Sequence, residues 1–232
     1  MKHLKIEQKS PEWWAYKVGR VSGTRTGQLI STRENTLIDE MLDEMLDGFV
    51  KPNDFQTDEM IFGIENEEKA LDLYSKISGI DFERGGVLVS DKFEDIHMAS
   101  PDGINVERGI IAEVKCTMQG KTQIKRFRKG VDANYMPQII NYFACSPDVK
   151  EVHWISYCPF RPERELVYFI ITRETIVESK ETKKNGLVEV TIQDKVDALH
   201  EALTDFREEL QTELEKFKIG RASCRERVSS PV

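Results

Sequence analysis

The sequence predicts an α/β fold held in one domain, and three observations carry that expectation. A chain of 232 residues with 39% hydrophobic content is long enough to bury a sizeable core. Short β-rich apolar runs alternate along it with segments whose apolar residues recur at helical spacing. A long amphipathic stretch over residues 193–217 then closes the chain as a helix.

In chain order, the spacing predicts helices over residues 24–31 and 36–47 and a loop over 51–58, where Pro52, Asn53 and Asp54 cluster. A helix follows over 63–78, with Ala70, Leu71 and Tyr74 on one face. Strands are expected at 86–90, 96–100 and 109–116, then helices at 121–129 and 135–145. Further strands fall at 152–158 and 166–171. A turn at 181–186 joins Ile176 and Val177 to a strand over 187–192 as a hairpin. No internal repeat stands out.

The chemistry concentrates between Ser100 and Lys115. Ser100-Pro101-Asp102-Gly103 marks a turn, and nine residues later Glu113-Val114-Lys115 lies in an apolar strand that folding back lays beside it. Side chains alternate along a strand, so Glu113 and Lys115 share one face while Val114 points into the core. The expected site joins Asp102, Glu113 and Lys115 at a strand end, with the Val114 carbonyl as a further oxygen ligand. Hard divalent cations take such oxygens, and cutting a phosphodiester requires a hydroxide nucleophile and a neutralised leaving oxygen. A Lys115 with a lowered pKa orients or deprotonates the attacking water. Taken singly, Glu113 with Lys115 is equally an exposed cross-strand ion pair, and Pro-Asp-Gly a plain turn.

Together these residues resemble the PD-(D/E)xK nuclease superfamily, whose restriction-endonuclease-like core is a mixed β-sheet flanked by helices. Upstream, Gly63-Ile-Glu-Asn-Glu67 resembles the G-x-x-x-E helix of exonuclease branches and makes Glu67 a further acidic residue. Downstream, Gln138-Ile-Ile-Asn-Tyr142 matches their Q-x-x-x-Y helix, with Tyr135 one turn before Gln138 on the same face. The resemblance implies metal binding by Asp102, Glu113, Val114 and Glu67, with two Mg²⁺ ions expected and Mn²⁺ as a substitute. It also implies that Gln138 steadies a ligand or the scissile phosphate.

The segment from Ser10 to Thr24, with Trp13, Trp14, Lys17, Gly19, Arg20 and Ser22, narrows this to the YqaJ-type viral recombinases, which include lambda exonuclease. By that resemblance Lys17, Arg20, Ser22 and Thr24 bind a 5′-phosphate, and Tyr142 joins them in contacting DNA. Ser22 or Thr24 can also cap a helix whose free N–H groups attract an anion. The family usually carries arginine at the place of Lys17; lysine lacks the bidentate fork, so Arg20 or Arg25 is a candidate for that part. The family implies a 5′-to-3′ double-stranded DNA exonuclease that leaves 3′ single strands. It also implies a ring-shaped homotrimer, a single-strand annealing partner and action in the cytoplasm of a phage-bearing bacterium. Two other classes stay open: an endonuclease on the same fold, and a DNA-binding protein without activity.

Charge and cysteine usage narrow the field further. The net charge is −8, yet Lys115, Lys121, Lys125, Arg126, Arg128 and Lys129 fall in a window without acids, a basic stripe for a phosphate backbone. Acidic blocks at 39–47 and 201–215 are expected to face solvent or a partner. Cys116, Cys145, Cys158 and Cys224 make no C-x-x-C pair, and His3, His97, His153 and His200 are scattered. That argues against a zinc or iron–sulfur site. No segment is apolar over a bilayer's width, and no signal-like stretch opens the chain. Residues 1–218 are expected to form the nuclease domain. The last stretch, 219–232, resembles translated read-through of a non-native sequence and is expected to be disordered.

Overall fold

The computed structural model describes residues 1–30, 36–50, 55–182 and 186–228. Its centre is a five-stranded mixed sheet in the order β2-β5-β6-β7-β8: Glu83–Arg84, Gly103–Asn105, Ile110–Cys116, Glu151–Tyr157 and Leu166–Ile171. Strands β5 and β6 are antiparallel, with Gly103 opposite Ala112. Strands β6 and β7 are parallel, with Glu113 opposite Trp154 and Lys115 opposite Ser156. A parallel pair needs a crossover, and α5 (Gly120–Lys129) and α6 (Met136–Cys145) supply it.

Alternation along β6 sorts its side chains between two cores. Ala112 and Val114 pack with Ile155 and Tyr157 against Ala70, Leu71 and Tyr74 of α4 (Asp58–Ser78). On the other face Ile111, Val152 and Trp154 meet Ile139, Ile140 and Phe143 of α6. Val196, Leu199 and Leu203 of α7 (Ile192–Val228) join that second core. The β5–β6 turn closes at Gly109, whose φ of +71° favours glycine and whose added Cβ would fall 2.3 Å from the Asp148 carbonyl oxygen.

The N-terminal part builds a second layer. Strands β1 (Lys2–Leu4), β3 (Val87–Val89) and β4 (Met98–Ala99) form a three-stranded sheet. Three helices accompany it: α1 (Pro11–Lys17), α2 (Gly23–Leu29) and α3 (Leu37–Asp47). Helix α2 lies so close to α6 that a Cβ on Gly23 would stand 2.9 Å from Cγ of Gln138. Strands β9 (Ile176–Thr182) and β10 (Gly186–Thr191) form the expected hairpin, with residues 183–185 of its tip outside the described residues.

Two boundaries differ from the sequence expectation by several residues. Helix α4 starts at Asp58, five residues early, because the Thr57 side chain accepts the Met60 N–H and caps it. Of the expected loop at 51–58, residues 51–54 lie outside the described residues, as does Ser31 at the end of the expected 24–31 helix. Helix α7 spans Ile192–Val228, beyond the end at 217 expected for it, and residues 229–232 lie outside the described residues. Nothing interrupts it, since the last described turns contain no proline. Among the described residues no helix is long and apolar enough to cross a membrane.

Candidate active site

Antiparallel pairing sets Asp102, just before β5, across from Glu113 and Val114, and Asp102 Oδ2 accepts the Val114 N–H at 2.6 Å. Glu113 is fully buried on the α6 side of β6, the only side its position in the pleat permits. One of its carboxylate oxygens receives the Lys115 ammonium and the other the Tyr142 hydroxyl. Glu113 and Lys115 thus do form an ion pair, but a buried one beside Asp102. The Lys115 ammonium also lies 5.4 Å from the centre of the Tyr135 ring.

Three negative groups crowd this pocket. Burial, and then the Glu113 charge, push the Asp102 carboxyl well above its ordinary pKa. Glu67, on α4, is raised by the same two causes in the same order. For Lys115, burial pulls the ammonium down, but Glu113 and Asp102 outweigh it and its pKa stands raised. The direction is opposite to the lowering that removing a proton from water would call for. Glu113 and Asp102 hold the proton on this side chain, which suits orienting and donating.

The donor set suits a hard cation. Asp102, Glu113 and the Val114 carbonyl offer oxygen only, and the acids are raised by burial and then by like charge, both of which a bound cation would offset. Glu67 is close enough to the other two acids for the Glu113 charge to act on it. An open arrangement of two carboxylates, with room for water and phosphate, is how Mg²⁺ is ordinarily held.

Beside this centre lies a cavity of about 160 Å³ lined by Trp13, Lys17, Ser22, Gly23, Thr24, Ser100, Gln138, Asn141 and Tyr142. It brings together Lys17, Ser22 and Thr24 from the N-terminal segment and Gln138 and Tyr142 from α6, residues more than a hundred positions apart. The Lys17 ammonium sits 5.0 Å and 5.2 Å from the ring centres of Trp13 and Trp14. Burial, and then Arg25, lower its pKa. Ser22 occupies the N-cap position of α2 without a side-chain capping hydrogen bond. Ser100 escaped the sequence reading; Trp13 Nε1 donates to its hydroxyl at 2.9 Å, holding it in the cavity wall. Its place two residues before Asp102 in an extended segment was the available signal.

Several expected residues do other work. Arg20 is absent from the cavity wall: its guanidinium donates to the carbonyls of Tyr16 (2.7 Å) and Glu94 (3.2 Å) and stacks 4.3 Å from the Tyr16 ring. Arg25 is buried and bound through both terminal nitrogens to Glu44, which also accepts the Gly19 N–H. Glu44 thereby leaves the expected solvent-facing acidic block. Tyr142, expected at DNA, is 1% exposed and turns its hydroxyl toward Glu113, while Gln138 Nε2 donates to that hydroxyl at 3.2 Å. Arg126 drops out of the basic stripe: it is buried, donating to Asp132, the Lys115 carbonyl and Ser156.

Comparison with known proteins agrees with this architecture. No curated protein matches the chain. Among solved structures it is similar to an alkaline exonuclease from Laribacter hongkongensis, with a TM-score of 0.72 and 21% identity over 93% of this chain and 100% of that one. The same protein in complex with dAMP gives a TM-score of 0.70 at 21% identity, with the same coverage of 93% and 100%. A phage related exonuclease from Haemophilus somnus gives 0.50 at 14% identity, covering 84% of this chain and 96% of that one. At these identities the likeness establishes the fold, that of the PD-(D/E)xK proteins. A model of the YqaJ-like viral recombinase domain matches residues 12–147. That match takes in α1 to α6, both acids of the centre, Lys115 and the whole cavity wall, and the chain belongs to the family of YqaJ-like viral recombinase domains.

Proposed function

We propose that the chain is a metal-dependent deoxyribonuclease that digests duplex DNA from 5′ ends and leaves 3′ single strands. The observation that carries this reading is the contact between the two halves of the site. The acidic centre of Asp102, Glu113 and Lys115 shares Ser100, Gln138 and Tyr142 with a cavity whose wall includes the cation Lys17 and the hydroxyls of Ser22 and Thr24. A terminal phosphate seated in that cavity sets the adjacent phosphodiester at the acids, which favours cutting at ends over cutting within a strand.

Asp102, Glu113 and the Val114 carbonyl would hold Mg²⁺, which supplies an activated water and a counter-charge for the leaving oxygen when bound. Lys115, kept protonated, donates to the attacking water or the phosphate oxygens and shields the developing charge. Tyr142 holds the Glu113 carboxylate in place. Gln138 is anchored by the Tyr142 hydroxyl and presents its amide to the cavity. A ring-shaped homotrimer with an annealing partner belongs to the same reading and predicts three chains per particle in light scattering.

A time course on linear duplex labelled separately at each 5′ and 3′ end tests it. Loss of the 5′ label first, with 5′-phosphate ends preferred and closed circles untouched, is the expected result. Cutting of closed circular DNA instead would assign an endonuclease.

A further inference from the structure

We propose that the groove between α5 and the β7–β8 turn is a stacking track for single-stranded nucleic acid. The groove, about 410 Å³, is lined by Gln123, Ile124, Phe127, Arg161, Glu163 and Arg164. It takes no part in the acidic centre or the phosphate cavity.

Its position follows from the strands that carry the centre. On one side of α5, Arg126 donates to the Lys115 carbonyl at 3.3 Å and to Ser156 Oγ at 3.0 Å, so the helix is pinned to the strand ends beside the acids. Its other side leaves Ile124 and Phe127 about half exposed, at 47% and 51%. Gln123 Nε2 donates to the carbonyls of Ser156, Arg164 and Glu165 at 3.2, 3.1 and 3.1 Å, locking the turn onto the helix. Phe160 lies three residues beyond Tyr157, the sheet partner of Cys116, and stacks on Phe62 of α4 with ring centres 6.1 Å apart. The rings therefore rim the end of the sheet that bears Lys115.

The chemistry selects a strand with free bases. The Arg164 guanidinium lies 4.4 Å from the Phe127 ring centre, a cation stacked on a π face. Arg161 lies across the first turn of α5, where a Cβ on Gly120 would come within 2.3 Å of its Nε. In the groove wall Arg161 and Arg164 stand against one acid, Glu163, and Lys121 and Arg128 are exposed on the same helix α5. In a chain of net charge −8 this local excess suits a polyanion. Exposed rings interleaved with arginines bind unpaired bases by stacking and backbone phosphates by charge, whereas duplex bases are already stacked on each other. The single strand left by end digestion is such a ligand, and the proposal rests on the nuclease reading for that source alone.

The test is equilibrium binding of a fluorescent thymidine oligonucleotide of about twelve nucleotides to the full chain in EDTA, where nothing is cut. Phe127→Ala is expected to bind about tenfold more weakly, and Phe127→Trp close to the parent. Arg164→Gln should flatten the salt dependence, lowering the slope of log K against log salt by about 0.7. Phe127→Leu keeps the apolar bulk without a π face, so it should weaken the strand as alanine does. Parental affinity in Phe127→Ala and Arg164→Gln, or parental affinity in Phe127→Leu, would overturn the track. A change in particle mass in Phe127→Ala would also overturn it, assigning the groove to a second copy of the chain. The two readings separate cleanly. Normal cutting with unaltered strand binding in these variants removes the track and leaves the nuclease. A parent that binds strands through Phe127 and never cuts does the reverse.

Discussion

Replacing Lys17 by alanine tests the end-recognition cavity most directly, because the neighbouring cations are already spent. Arg25 is paired with Glu44 in the interior, and Arg20 is bound to the Tyr16 and Glu94 carbonyls, so neither reaches the cavity. Lys17 alone brings positive charge to the wall, and burial acts on it strongly enough to lower its pKa. A charge-assisted hydrogen bond to a phosphate is worth about 1.5–3 kcal/mol, and partial burial with little screening by salt places this one in the upper half of that range. At 1.4 kcal/mol per tenfold, kcat/KM on 5′-phosphorylated duplex should fall about 40- to 140-fold in Lys17→Ala. On 5′-hydroxyl duplex it should change less than about threefold, since the missing phosphate has already removed the contact. The assay is initial-rate digestion of matched duplexes that differ only in the end group. A pH series adds a sign. With its pKa below the ordinary 10.5, Lys17 loses its proton as pH rises through the lowered value. The phosphate preference should accordingly be full below that pKa, fade above it, and be absent at every pH in Lys17→Ala. Equal losses on both end types, or no loss on either, would refute the assignment of Lys17 to the phosphate.

Three further outcomes follow from the geometry. Glu113→Gln and Lys115→Ala should each lower cutting by at least about 100-fold while gel-shift affinity for duplex ends holds within about threefold, since both act on developing charge. EDTA should abolish turnover and excess Mg²⁺ should restore it, read on the same end-labelled duplex. Glu44→Gln should cost about 3 kcal/mol by leaving Arg25 buried beside a neutral partner, and so lower the melting temperature by about 6–12 °C in a calorimetric scan.

What was legible in this sequence is what local geometry determines. Asp102 meets Glu113 because a tight turn at Gly109 folds one short strand back on the next, and period-two alternation then puts Glu113 and Lys115 on one face. The helical face of Ala70, Leu71 and Tyr74 was equally plain, because burial against a sheet requires that spacing. Charges were another matter. Glu44 read as part of an acidic block and Arg126 as part of a basic stripe; each was misread for want of its partner. Those partners are Arg25, 19 residues from Glu44, and Ser156, 30 residues from Arg126. Whether a charge is available to a ligand depends on what tertiary packing sets against it, and sequence spacing carries no record of that beyond one turn of helix or one hairpin. The same reasoning explains why Lys17 can serve where the family usually has arginine. Arginine's advantage is a rigid fork for two oxygens, but on the proposed reading a cavity lined by Ser22, Thr24 and Ser100 would offer an anion directional donors of its own. In such a wall the cation is left to contribute charge, and an ammonium braced between two tryptophan rings does so without the fork.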